Sequence, residues 1–255
     1  EEIDLIIVAT VTPDMMFPTT ASLLADLLPA PKAAAYDLLA GCTGFVYALA
    51  QAHAMVSAGL SKKTLVVGGD VLSKILDWTD RSTLVLFGDG AGAAVLERVD
   101  KGGFEGFELG ADGGGGEHLW LPGSGSRTFE DADRLVKMNG REVFKFATRV
   151  MVSSAEALLD EVGRTIDDVD VYVPHQANTR IIDYATKKLG IAEDRVIVNV
   201  DRYGNTSSGS IPLALGDAEA DGRLRKGSLV LMTGMGAGLT WGSTLMEWTA
   251  NGRTT

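Results

Sequence analysis

The chain has one cysteine in 255 residues, Cys42, so an internal disulfide framework is excluded and the composition fits a reducing compartment. No apolar run approaches the roughly 20 residues that a membrane-crossing helix needs. The opening residues carry no signal-peptide pattern. Basic residues are not in excess: 23 Lys and Arg stand against 34 Asp and Glu, and a net charge of −11 argues against a general nucleic-acid footprint. Histidine is scarce, at three residues, and no Cys/His cluster has metal-ligand spacing. Gly88–Gly92 lacks the Lys-Ser/Thr ending of a phosphate-binding loop and the spacing of a dinucleotide fingerprint, so it reads as a turn that demands small residues.

Hydrophobic residues make up 45% and charged residues 22%, an ordinary globular balance for one large domain or two fused halves. Asp4–Thr10 reads as a strand buried on both faces. It follows Glu1-Glu2 at once and no initiator Met precedes it, so we expect upstream sequence to be absent or numbered elsewhere. A helix is expected from Ser22, as cap, to Leu28, ended by Pro29 and Pro31. Strands are expected at 33–39, 64–67, 83–87, 93–98, 171–173, 196–198, 229–233 and 239–248. Helices are expected after Cys42 to about Ala58, over 139–162, after Asn178 to Leu189, and over 211–219. Arg202–Gly209 reads as a loop. Residues 111–137 read as an irregular excursion between a half at 1–110 and a half at 138–255.

The order of pieces repeats. Asp4–Val8 parallels Asp170–Val173, Thr64–Gly69 parallels Ser228–Gly234, and Gly90–Leu96 parallels Gly236–Gly242. Strands alternating with helices imply helix-covered parallel or mixed sheets, with a site where strand ends converge.

Cys42 should stand where a buried strand turns into a helix. The helix N-terminus favours a thiolate, and Gly41 and Gly44 keep the sulfur approachable. The alternative is a buried structural cysteine. His175 follows Pro174 at a strand's C-terminal end, a usual site in α/β proteins, or else caps the next helix. His53 and His118 read as structural or surface residues. Asn205 could present an amide donor inside a site, or lie in a plain surface loop. Gly234–Gly238 lets backbone N–H groups approach a ligand, as in an oxyanion hole, or forms a tight turn.

Cys42, His175 and Asn205, with the motifs Thr79-Asp80-Arg81, Phe87–Ala93, Val173–Asn178 and Gly204–Ser207, resemble the Cys-His-Asn set of β-ketoacyl-acyl carrier protein synthase III, a thiolase-like condensing family. The resemblance runs through nearly the whole chain. It implies a five-layered αβαβα fold of two pseudo-duplicated halves and a cytoplasmic homodimer. It implies acyl transfer from acyl-CoA to Cys42, then condensation with malonyl-acyl carrier protein as carbon dioxide leaves, with no cofactor beyond the CoA thioester substrates. It places catalysis on Cys42, His175 and Asn205, and the oxyanion hole on the N–H groups of Cys42 and Ala237. It places Arg81, Arg180 and Asn178 at the CoA and pantetheine entrance. Phe17 matches the residue that closes the partner's acyl pocket. Lys145, Arg180, Lys187 and Lys188 match a rim for an acidic carrier protein, against the alternative of a solvated helix face. The family's first strand and helix, with an aromatic residue that sandwiches adenine, have no counterpart here. The rival expectations are a relative using another starter in polyketide or quinolone synthesis, a Cys-His thioesterase, and a non-catalytic binding fragment. Nucleic acid and membrane are not expected partners.

Overall fold

A computed structural model describes residues 2–30, 32–123, 125–127 and 134–250. In chain order the elements are β1 Leu5–Ala9, α1 Thr20–Leu27, β2 Ala34–Leu38, α2 Gly44–Ser57, β3 Lys63–Asp70, α3 Arg81–Leu84, β4 Gly90–Glu97, β5 Gly103–Ala111, β6 Leu119–Trp120, β7 Lys137–Met138, α4 Gly140–Val162, β8 Val171–Pro174, α5 Thr179–Leu189, α6 Val200–Tyr203, α7 Ser210–Ala220, β9 Leu229–Gly236 and β10 Thr240–Glu247.

Two four-stranded sheets carry the fold, ordered β2-β1-β3-β4 and β5-β10-β9-β8. In the first, β1 runs parallel to β2 and β3, and β4 is antiparallel to β3. In the second, β8 runs parallel to β9, and β10 is antiparallel to both β9 and β5. Helices α2 and α7 pack between the sheets, α1 covers the outer face of the first, and α4 with α5 covers the outer face of the second. These are the five layers expected. The apolar strands explain the stacking. Alternate residues of β1 face opposite ways: Leu5, Ile7 and Ala9 enter the central core, while Ile6 and Val8 meet Ala21 of α1.

The repeat is structural. Leu5 pairs with Thr64 as Val171 pairs with Val230, so one spacing carries β1 onto β8 and β3 onto β9. The same spacing carries the turn Gly41–Thr43, which opens α2, onto Ser207–Gly209, which opens α7.

Several local expectations are corrected. Thr83–Phe87 is not a strand. Asp80 accepts from Ser82 N–H and caps the short helix α3, so side-chain capping outweighs the β-branched residues. Thr19, not Ser22, caps α1, accepting from Ser22 N–H at 3.2 Å. Val196–Val198 contributes one bridge, Val196 to Tyr172, in place of a strand. The stretch read as a loop at 202–209 contains the end of α6 and a 3₁₀ turn. Strand β5 went unpredicted, and it pairs with β10, so Gly103–Ala111 belongs to the second sheet rather than the first half.

Candidate functional site

After β2 the chain passes Leu39 and Ala40 and enters the tight turn Gly41–Thr43. Gly41 has φ 57, and a Cβ there would lie 2.9 Å from both the N and the O of Ala237. A residue without a side chain is what lets this turn close on the end of β9. Gly236 completes the approach, since a Cβ on it would stand 2.5 Å from Cys42 N. The Thr240 hydroxyl lies 3.0 Å from Ala40 O and 3.0 Å from Thr43 Oγ1, tying the turn to β10.

Cys42 is buried and lines a cavity of about 330 Å³ with Leu72, Ile75, Phe87, Leu119, Trp120 and Val136. Ser207 and Ala237 line it as well. The expected thiolate is not the resting form. Burial pushes the Cys42 thiol up to about 11, and the charge of Asp70 acts in the same direction. The Ser207 side chain and the backbone N–H groups of Cys42 and Ala237 oppose this without reversing it.

His175 follows β8 and donates its backbone N–H to Thr233 O at 2.7 Å. It is 1% exposed, and burial pushes its imidazole down to about 4, so the ring is neutral at pH 7. Ser210 Oγ lies 2.6 Å from Nδ1 and accepts Gln176 N–H at 3.2 Å. From this network we assign the Ser210 proton to Nδ1 and the ring proton to Nε2. Nε2 has no partner among the described residues, which leaves a buried donor free for a ligand. Gln176 bolts the strand end in place, donating to Pro174 O and Ile197 O and accepting from Asn199 N–H.

Asn205 is held through its backbone, donating to Leu86 O and accepting from Gly88 N–H, each at 2.9 Å. Its Oδ1 accepts Ser207 N–H at 2.9 Å, which fixes the amide and turns its NH₂ into the available donor. Ser207 is the one non-glycine residue with positive φ, 52, among the described residues. The stretch Asn205–Ser210 therefore supplies the amide, reaches the Cys42 thiol through Ser207, and holds the His175 ring through Ser210. The repeat relates two of the three, Cys42 and His175, to a contact in the other half. Its spacing carries Cys42 onto Ser208 and Ala9 onto His175, and Ser208 Oγ lies 2.7 Å from Ala9 O. Sequence reasoning missed Ser207, Ser210 and Asp70, because each acts through a contact with a residue distant in the chain.

Of the other predicted residues, Ala237 lines the cavity with Cys42. Ala237 directly follows β9 and is half-buried. Arg81 opens α3 and is exposed. Asn178 caps α5, its Oδ1 accepting Ile181 N–H at 3.1 Å, with exposed Arg180 two residues on. Lys187 and Lys188 are exposed in the last turn of α5, and the Lys188 ammonium stands 5.9 Å from the Tyr184 ring centroid. Lys145 on α4 pairs with Glu142 at 2.8 Å. Phe17 is 84% exposed, beside exposed Met15 and Met16. His53 packs against Phe104 and Phe107, as a structural histidine would.

Two family descriptions match this chain: 3-oxoacyl-[acyl-carrier-protein (ACP)] synthase III over residues 36–113, and its C-terminal part over 159–248. The β-ketoacyl-[acyl-carrier-protein] synthase III of Desulfitobacterium hafniense (strain Y51) is 53% identical over 259 residues, covering 99% of this chain and 78% of the relative. The crystal structure of the Thermus thermophilus synthase III superposes with a TM-score of 0.92 at 52% identity, covering 99% of this chain and 78% of that one. The priming β-ketosynthase of the R1128 polyketide pathway superposes with a TM-score of 0.89 at 37% identity, covering 99% of this chain and 76% of that one.

Proposed function

Because the chain belongs to the 3-oxoacyl-[acyl-carrier-protein] synthase III family, we propose that Cys42, His175 and Asn205 carry out the family's condensation here. The chain is an acyltransferase that initiates fatty acid synthesis by condensing an acyl-CoA primer with malonyl-acyl carrier protein. One observation carries the residue assignment: the single stretch Asn205–Ser210 contacts the thiol, the imidazole and the amide.

The Cys42 sulfur attacks the thioester carbonyl. The carbon–sulfur bond to CoA breaks, and the cysteine proton leaves as the thiol proton of CoA. The Cys42 and Ala237 N–H groups hold the oxyanion. Malonyl-carrier protein then loses carbon dioxide, and the electron pair moves onto the thioester oxygen as an enolate. His175 Nε2–H and the Asn205 NH₂ donate to that oxygen. A neutral imidazole suits this, because it stabilises charge in a dry site without surrendering a proton. The enolate carbon attacks the acyl-cysteine, and the Cys42 thiolate departs as the β-keto product forms. The reaction takes CoA thioesters as substrates and no cofactor.

Arg81, Asn178 and Arg180 line the CoA entrance. Lys145, Arg180, Lys187 and Lys188, exposed on the packed helices α4 and α5, dock the acidic carrier protein as a local basic rim on an acidic molecule. The apolar loop Met15–Phe17 supports a homodimer in which Phe17 enters the partner's acyl pocket. The lone cysteine and the CoA substrate fit the cytoplasm. Likeness to a polyketide priming ketosynthase favours a second reading, in which the same chemistry accepts another starter.

Intact-mass spectrometry after incubation with acetyl-CoA tests the proposal. One acyl group on the parent, none on Cys42→Ala, and discharge only by malonyl-carrier protein are expected. Discharge by water alone would sink condensation in favour of a thioesterase. Uptake only from longer or branched acyl-CoAs would select the second reading.

A further inference from the structure

Asp70 is the last residue of β3, 4% exposed, and the reaction above does not use it. Its Oδ1 accepts from Thr10 Oγ1, Val11 N–H, Thr12 N–H and Thr12 Oγ1 at 2.7 to 3.2 Å. Its Oδ2 lies 3.2 Å from Ser208 N and 2.8 Å from Ser208 Oγ. No Lys or Arg forms an ion pair with it among the described residues. A buried carboxylate in such a place is held by donors alone, and those donors are held by it in return.

The repeat says what the carboxylate stands in for. The spacing that carries Cys42 onto Ser208 carries Asp70 onto Gly236. Gly236 leaves open the space beside Cys42 N, where a Cβ would stand 2.5 Å away. That open N–H is the oxyanion donor of the proposed reaction. In the other half the corresponding N–H, on Ser208, faces the fixed carboxylate of Asp70. One half keeps an empty anion site for substrate, and the other fills its counterpart with its own side chain. The filled site anchors Ser208, in the middle of the stretch that orients all three reacting groups. The fit is tight, since a Cβ on Gly68 would stand 2.2 Å from Ser208 O.

We propose that Asp70 is a positioning residue for the condensation, filling the pseudo-symmetric counterpart of the oxyanion site and so fixing the Asn205–Ser210 turn against Cys42 and His175. This rests on the condensing reading above. In Asp70→Asn the amide either turns NH₂ toward the Ser208 N–H or toward the donors around Thr12, so one set of bonds is lost. Single-turnover acylation from acetyl-CoA and decarboxylation of malonyl-carrier protein are each measured for the full chain, with thermal unfolding alongside. Both kcat values should fall at least about tenfold with KM within about twofold, because a small displacement of aligned groups costs rate rather than affinity. Thr12→Val, which removes one bond to the far oxygen and the acceptor of Val71 N–H and leaves the Ser208 side untouched, should lower the unfolding temperature and leave kcat unchanged.

If Asp70→Asn does not fold, Ser208→Ala carries the test, since it removes the hydroxyl that faces the carboxylate and Ala9 O and leaves Asp70 in place. Where both fold, their effects on kcat should be non-additive in the double variant. Parental kcat in Asp70→Asn, or in Ser208→Ala when that variant stands in, overturns the positioning role. Rate losses in Thr12→Val that match its unfolding also overturn it, since they would mark a merely structural part. A parent chain that takes up no acyl group overturns the underlying reading, a separate result from an active parent with indifferent variants.

Discussion

Gly41 and Ser207 take the same step of the same turn, one in each half, and both hold left-handed backbone, at φ 57 and φ 52. Gly41 is where a side chain cannot fit, because the end of β9 is in the way. Ser207 accepts a conformation that costs a non-glycine residue about 1 kcal/mol, and its side chain reaches the thiol. The next residues diverge in the same sense. Cys42 opens on a cavity, while its counterpart Ser208 is sealed against Ala9 O and Asp70. The outer parts of the halves differ too. β10 has β5 beside it and α4 over it, whereas the outer edge of β4 pairs with no strand among the described residues, and Val95 is 55% exposed. The duplicated scaffold thus gives two equivalent turns. One opens on the cavity at Cys42, and the other is closed against Ala9 and Asp70.

The largest effect comes from making the two turns alike. Cys42→Ser gives both turns a serine, and condensation should fall by about four orders of magnitude, because a neutral hydroxyl in this site lacks the nucleophilicity of sulfur. Turnover with malonyl-carrier protein measures this, and near-parental turnover would mean that Cys42 is not the nucleophile. Next is His175→Ala, which should cut decarboxylation about a hundredfold while leaving acylation of Cys42 in place, since one preorganised donor to the enolate is lost.

His175 also sets a pH dependence. Its folded value of about 4 lies below the ordinary value near 6.5. Between those values the unfolded chain holds the extra proton. The stability of the neutral buried ring is therefore complete above about pH 6.5 and drains away as pH falls toward 4, by about 3 kcal/mol in all. Urea unfolding at several pH values should show parent and His175→Ala converging over that window, and parallel curves would refute the burial assignment.

The legible part of the molecule was what depends on local pattern. The run Leu5–Ala9 reads as a strand buried on both faces, and the apolar stripe of α4 is readable from spacing, though Asn139 proves to be its cap and not its first residue. The placement of Cys42, His175 and Asn205 at strand or turn boundaries was legible from their flanks. β5 was hidden by glycines at 103, 106 and 110, and only pairing with β10 makes it a strand. α3 was hidden because its cap, Asp80, outweighs Thr83 and Val85. The roles of Asp70 and Ser207 arise only when the Asn205–Ser210 turn folds onto the end of β3, a contact between residues far apart in the chain. The protonated resting state of Cys42 was likewise illegible, because burial against the other half decides it.

Gly41→Ala tests the opened turn. The new methyl meets backbone atoms of Ala237 at 2.9 Å, in a left-handed conformation. We expect a loss of about 2 to 4 kcal/mol, from backbone strain and an overpacked contact that cannot rotate away. Chemical denaturation measures it. Parental stability would show that the β9 end yields freely, and that Gly41 is not what brings Cys42 to the Ala237 N–H.

Ser207→Gly tests the closed turn, with the smallest and most informative change. Glycine holds φ near 52 without strain, but it also enlarges the conformational freedom of the unfolded chain, so a net stabilisation of only about 0.5 kcal/mol is expected. Against that, the thiol loses the side-chain donor that opposes its burial. A hydrogen bond to sulfur in this setting is worth about 1 kcal/mol, or about fivefold in the acylation rate. Glycine should therefore raise the unfolding temperature slightly while slowing single-turnover acylation, and the pH at which Cys42 alkylates should move upward. Opposite signs in stability and rate would mark the strain at Ser207 as retained for chemistry. Were the variant stable and equally fast, the serine would be incidental. The two turns would then differ only in their second residue, Cys42 in one and Ser208 in the other.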